Sequence, residues 1–197
     1  METEAKVMAY ARDHGYPVPA VDHLSNDGTD LVMERVEGAS MVEVIGKKPW
    51  SLRSQGALLG DLHRRLHLIP GPDWLRSLPR SEGTALLHLD LHPLNVLIGP
   101  NGPVVIDWTN AARGDPARDV ALTWVLMTAG EIPGGRLKAA VMGRARGLLV
   151  GAFLQGFDRA PVRAVLRATV EAKCADAHMS EDEKRRMWAV VARAGTD

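Results

Sequence analysis

The stretch "HLDLHPLNVLIG", residues 88–99, places two histidines, an aspartate and an asparagine within eight residues and then turns apolar. Three chemistries compete for it: a metal site, a catalytic loop, or a polar turn between buried segments. The flanking sequence decides among them. Downstream, "GPNG" (99–102) joins two β-branched runs in a hairpin pattern, and Ile106-Asp107-Trp108 follows twelve residues after Asn95. Upstream, Leu58, Leu59, Leu62, Leu66 and Ile69 recur at helical spacing in "LRSQGALLGDLHRRLHLI" (52–69), which reads as an amphipathic helix.

Toward the N-terminus, "TEAKVMAYARDH" (3–14) ends at Gly15 and predicts a helix. "AVDHL" (20–24) and "LVMERV" (31–36), separated by "SNDGTD", predict a hairpin. "EGASMVEVI" (37–45) is a connector entering a short helix. After "NAARGDPARD" (110–119) the chain reads helical to its end, in blocks starting near Asp119, Arg136 and Pro161, with a last one after Ser180. Ser180 and Glu183 stand in capping-box relation.

The bulk numbers narrow the class. The 197 residues carry 24 basic and 24 acidic side chains and are 46% hydrophobic, which argues for a globular chain and against a nucleic-acid binder or a disordered segment. The acidic start does not have the pattern of a secretory signal, and the longest uncharged stretches fall well short of a membrane span, so the expectation is a cytoplasmic protein without a membrane partner. The single cysteine, Cys174, reads as a buried small hydrophobe.

His88, Asp90 and His92 alternate and are all legitimate zinc ligands, as in a zinc-dependent hydrolase, but Pro93 interrupts the strand they would share. The string also has the form His, any residue, Asp, four residues, Asn, with a second Asp following. Phosphoryl transfer needs a carboxylate to orient and deprotonate a hydroxyl, and oxygen ligands to hold magnesium against phosphates. Asp90, Asn95 and Asp107 supply that set, and a hairpin between Asn95 and Asp107 would return the second ligand beside the first. Taken singly, an aspartate or asparagine near proline is more often a turn former. Taken together, the three favour the kinase-type chemistry.

"LLHLDLHPLNVLIGPNGPVVIDWTNAARGDPARDVA" (86–121) resembles the catalytic segment of the aminoglycoside phosphotransferase family, small-molecule kinases related to protein kinases. Family members read His-Gly-Asp-Leu-His-Pro-x-Asn, then Ile-Asp-Trp or Ile-Asp-Phe, then Gly-Asp-Pro-x-x-Asp. This chain has Leu89 in place of the glycine and Leu94 where a small residue is common, and Leu89 is expected to crowd the turn before Asp90. The resemblance extends to "EAKVMAYARDHGYPVPAV" and "DLVMERVEGASM", which are similar to the family's regulatory helix, following strands and interlobe hinge.

The resemblance implies a protein-kinase-like α+β fold, in which residues 1–38 are a truncated strand-bearing remnant of the nucleotide-binding lobe and 39–197 a mainly helical lobe, with a cleft between them. It implies ATP and Mg2+ as substrate and cofactor and a small-molecule hydroxyl as acceptor. Asp90 would be the catalytic base, Asn95 and Asp107 the magnesium ligands, and the backbone of Glu34, Arg35 and Val36 the adenine contact. His88 would support the loop, Asp119 would be an outer or helix-capping carboxylate, Asp115 would belong to the turn before it, and Glu4 would be the regulatory-helix glutamate. Among acids on the C-terminal helices, Glu171, Asp176, Glu181, Asp182 and Glu183 are candidates for a polycationic acceptor, although interspersed Lys173, Lys184, Arg185 and Arg186 give the mixed charge of a solvated helix face.

A kinase also uses a glycine-rich loop and a strand lysine over the phosphates. No G-x-G-x-x-G or G-x-x-x-x-G-K-[ST] occurs here, and the only lysine before residue 36 is Lys6, inside the first helix. The chain therefore reads as a family member beginning at the regulatory helix, as a pseudokinase serving as a binding module, or as one part of a split enzyme. Its N-terminal hairpin would offer an open strand edge for self-association.

Overall fold

The computed structural model describes residues 1–79, 81–130, 136–175 and 179–195. Helix α1 (Glu2–Asp13) runs into an antiparallel hairpin of β1 (Val21–Ser25) and β2 (Asp30–Met33), where the sequence predicts helix and hairpin. Strand β3 (Ala39–Ser40) leads into α2 (Met41–Lys47), whose start is a capping box: the Ser40 hydroxyl accepts from the Glu43 N–H, and the Glu43 carboxylate accepts from the Ser40 N–H. Helix α3 (Leu52–His67) follows, burying Leu59, Leu62 and Leu66 at the predicted spacing.

The middle of the chain is where the local pattern is least informative. Strand β4 (Ala85–Leu87) pairs antiparallel with the distant β7 (Ala112–Gly114) in register Ala85↔Gly114, Leu86↔Arg113, Leu87↔Ala112. Neither three-residue strand has enough alternation to be read from sequence, because a short ladder is held by its long-range partner. Between them lies the predicted hairpin of β5 (Val96–Gly99) and β6 (Gly102–Val105), with β3 paired on the outer side of β5.

Helices α4 (Pro116–Ala129), α5 (Arg136–Leu154), α6 (Arg159–Cys174) and α7 (Glu181–Ala194) complete the chain, and the last begins with the Ser180–Glu183 capping box read from the sequence. Helix α3 packs on α5, and α4 on α6 and α7. One continuous core joins the two ends of this order, since Val7, Met8, Tyr16 and Val18 from the first segment lie in the same buried cluster as Leu59, Leu62, Trp108 and Phe153. Tyr16 meets Trp108 edge to face at 5.6 Å and donates its hydroxyl to the Leu62 carbonyl at 3.1 Å. Trp108 is thus a packing anchor, as its place after Asp107 suggests, while Cys174 is partly exposed at the core's margin. The architecture is a mixture of helices and small sheets, in keeping with the expected α+β class. Among the described residues no helix is long and apolar enough to cross a membrane.

The α3–α5 contact depends on Gly56, where an added Cβ would stand 2.5 Å from the Leu149 carbonyl oxygen and 2.8 Å from the Ala152 Cβ. Gly56→Ala gains about 1 kcal/mol of helix propensity and forces a backbone shift costing about 1–3 kcal/mol. The expected outcome is a lower urea midpoint with an unchanged slope.

Candidate active site

The loop from His88 to Asn95 owes its shape to α4. Asp115 caps that helix by accepting from the Ala117 N–H at 2.9 Å, so the helix starts one turn earlier than its apolar pattern suggests. This puts Asp119 in the first turn and not at the cap. Its carboxylate is fully buried and accepts from the His88 N–H at 3.1 Å and the Leu89 N–H at 2.8 Å, with His67 Nε2 at 3.0 Å. One turn on, the Thr123 hydroxyl donates to the Leu91 carbonyl at 2.9 Å and lies 3.0 Å from His63 Nε2. Residues 119 and 123, four apart and so on one helix face, therefore hold both ends of the loop's first turn.

That grip balances a strained backbone. Leu89, where the resembling family has glycine, adopts φ 60°. A left-handed conformation costs about 1–2 kcal/mol for a residue with a side chain, while a hydrogen bond to a charged acceptor contributes about 1.5–3 kcal/mol. The expected crowding is resolved by this turn: the side chain is buried against Leu87, Ala112 and Leu122.

The buried groups behind the loop are electrostatically coupled. Burial acts against the charge on Asp119, but the His67 hydrogen bond, the neighbouring imidazoles and the two amides outweigh it and hold the carboxyl below the usual carboxylate range. Burial pushes His63 down to about 4, against the pull of Asp119, and lowers His88 in the same way. His88 is thus a neutral ring whose Nε2–H donates to the Ile106 carbonyl at 3.1 Å while the ring lies 4.7 Å from that of Trp108, so it supports the loop as expected. Its Nδ1 has no partner, and no group of three or more metal-binding side chains gathers among the described residues. The zinc reading of His88, Asp90 and His92 fails here, because His88 turns inward to a carbonyl while only His92 stays near Asp90, with Nε2 3.5 Å from Oδ1.

On the open side of the loop, Asn95 Nδ2 donates to the Asp90 carbonyl at 2.9 Å and to Asp90 Oδ2 at 3.3 Å. The β5–β6 hairpin then brings the chain back, and the Ile106 N–H donates to the Asn95 carbonyl at 3.1 Å, one residue before Asp107. Asp107 takes φ 64° and opens into a cleft of about 600 Å³. Glu34 and Val36 line that cleft from the hinge side, whereas the Arg35 side chain turns out to Glu37 at 3.3 Å. Glu4 lines it too. Its carboxylate accepts from the Trp108 N–H at 3.2 Å, while Lys6 pairs with Glu2 at 2.7 Å. Sequence reasoning names Glu4 and misses this partner, since a backbone amide a hundred residues away leaves no local signal. The cleft carries Glu4, Asp30, Glu34 and Asp107 among its described lining residues, and no lysine or arginine.

The model of the phosphotransferase enzyme family matches residues 72–167. This segment is therefore similar to that family. It holds the loop, the hairpin with Asp107, and the α4 residues that position them. Over 62 residues, 27% of this chain, the sequence is 39% identical to a thiamine kinase of Salmonella newport. The matches span only 13% and 23% of the length of the curated relatives first found. In solved structures the fold is similar to a choline/ethanolamine kinase family protein from Mesorhizobium loti, with a TM-score of 0.56 at 17% identity over 98% of this chain and 76% of that one. It is also similar to a thermostable mutant of an aminoglycoside phosphotransferase in complex with ADP and hygromycin B, with a TM-score of 0.55 at 14% identity over 98% and 83%.

A titration checks the buried histidines. His63 takes up its proton at ~6.5 when unfolded and near 4 when folded, so the unfolded state binds more protons between those values. Stability is expected to fall as pH drops through that window, by on the order of 3 kcal/mol from this group, with His88 adding in the same direction. Asp119 contributes stability that is present above ~3.9 and is lost as pH falls further. Urea midpoints at pH 7 and pH 4.5 should differ less in His63→Gln than in the wild type; equal differences would remove His63 from this role.

Proposed function

We propose that this chain transfers the γ-phosphoryl group of ATP, with Mg2+, to a hydroxyl of a small molecule. The observation that carries the reading is the Ile106–Asn95 backbone hydrogen bond, which returns Asp107 beside a loop whose Asn95 is already bonded to Asp90. With its Nδ2 committed to Asp90, the Asn95 amide keeps Oδ1 for a cation, and Asp107 adds a carboxylate at the cleft. This hard-oxygen pair suits magnesium, which takes few protein ligands and completes its shell with water and phosphate. Magnesium-bound ATP supplies the transferable phosphoryl group with its charge partly neutralised.

The remaining steps belong to the protein. Asp90 receives the acceptor's proton and orients its oxygen, Asn95 fixes the Asp90 carboxylate, and Asp119 and Thr123 keep the loop rigid through its backbone. The backbone near Glu34 to Val36 edges the space for the adenine, in keeping with the nucleotide complexes of structurally similar kinases. Asp90→Asn should lower turnover by about 10²–10⁴-fold with ATP, magnesium and an acceptor panel of amino sugars and other alcohols. Undiminished turnover in that variant would sink the assignment of the base.

One observation favours a second reading, a non-catalytic binding module. The described lining of the cleft has four carboxylates and no lysine or arginine to meet the phosphates, and missing electrostatic donors of this kind typically cost ~10²-fold or more in rate. Calorimetry separates the two. The enzyme reading expects ATP to bind only with magnesium present and Asp107→Ala to abolish that binding. Binding indifferent to both would support the module.

A further inference from the structure

A second cavity, of about 180 Å³, is lined by Asn110, the neighbour of Thr109 in the cleft, and its lining is of opposite charge to the cleft. Arg76, Arg118 and Lys173 line it together with Leu89, Asn110 and Thr169, and its described lining residues include no carboxylate. At roughly 30 Å³ per water, it has room for about six water-sized groups.

Arg118 is the decisive side chain. It is only 9% exposed, yet among the described residues its guanidinium has neither a hydrogen bond nor a carboxylate within 4.0 Å. Its nitrogens are not sealed from solvent, so this unpaired charge is presented to whatever enters the pocket, and an anion is the partner it lacks. Arg76 is already anchored, donating from Nε to the Ala111 carbonyl at 3.2 Å and from Nη2 to the Asn110 carbonyl, which fixes its charge at the rim. Thr169 spends its proton on the Val165 carbonyl. Glu183, the acid whose charge reaches Lys173, is bound by the Ser180 N–H and hydroxyl in the α7 cap.

We propose that this pocket is an anion subsite, taking a carboxylate or phosphate group between Arg118, Arg76 and Lys173. Its place assigns the anion to the acceptor. Leu89, in the wall, is followed directly by Asp90, and Asn110, also in the wall, directly follows Thr109 of the nucleotide cleft. The acceptor is therefore a hydroxyl compound bearing an acidic group. Of the acids on the C-terminal helices, Glu181 pairs with Lys184 at 2.8 Å, Asp182 with Arg185 at 3.0 Å and Glu183 is capped, while Glu171 is exposed and Asp176 lies outside the described residues. The acceptor assignment rests on the phosphotransferase reading, while the anion site itself does not.

Calorimetric titration of the full chain with inorganic phosphate and, separately, with malonate tests the site without turnover. Saturable binding is expected, weakened at least ~10-fold by Arg118→Gln and less by Lys173→Gln, with thermal midpoints unchanged. The tighter of the two anions names the acidic group. Should Arg118→Gln fail to fold, Lys173→Gln, on a partly exposed α6 position, carries the comparison. No saturable binding, or equal affinity in the variants, overturns the site. Anion binding lost in Arg118→Gln in a protein that transfers no phosphate would sink the kinase reading and keep the site. In an active enzyme, an unchanged KM for carboxylate- or phosphate-bearing alcohols in Arg118→Gln would overturn the acceptor assignment.

Discussion

The Asp119 carboxylate is the interaction on which the rest of the site depends. It is fully buried and it binds the two successive amides at which the loop makes its left-handed turn. Without a charged acceptor there, Leu89 has no reason to remain at φ 60°, and Asp90 follows Leu89. A buried charge is tolerable when every lone pair is used, and here two amides and His67 use them. The imidazoles behind it, kept neutral by burial, surround the carboxylate without competing for the amides.

The remaining constraints follow from that anchor in order. Fixing His88 fixes its ring between the Ile106 carbonyl and Trp108, and this clamps the far strand of the hairpin to the near end of the loop. Trp108 in turn packs on Tyr16 and donates its backbone N–H to Glu4, so the first helix is joined to the catalytic segment by hydrogen bond and by core. The two cavities meet the chain at adjacent residues, the acidic one at Asp107 and Thr109 and the basic one at Asn110. In the phosphotransferase reading proposed above, such opposed fields hold a magnesium-bearing ligand and an anionic one apart.

Much of this was legible in the sequence wherever the information was local. The periodicity of α3, both hairpins and the capping box at Ser180 are short-range patterns, and the helix, strands and cap stand where those patterns place them. The spacing of Asp90, Asn95 and Asp107 also encodes its own geometry, since a hairpin of that length must bring its ends together. What stayed hidden depends on distant partners. The β4–β7 ladder, the Glu4–Trp108 bond and the cluster of Arg76, Arg118 and Lys173 each join residues from separate elements with no periodic signature. Asp119 was visible as a carboxylate of interest, but its duty on the loop and not at the cap emerged only once Asp115 was seen to occupy the cap.

The opening turns of α4 combine these duties within a few residues. Asp115 starts the helix, Arg118 faces the basic pocket, and Asp119 and Thr123 hold the loop. Successive positions on a helix are about 100° apart, so inserting or deleting a single residue here would turn the guanidinium, the carboxylate and the hydroxyl away from their targets together. A replacement in this segment removes one of these contacts, whereas a change of length removes them together. Natural variation here should therefore be confined to substitution, with gain or loss of residues displaced to the connections around it.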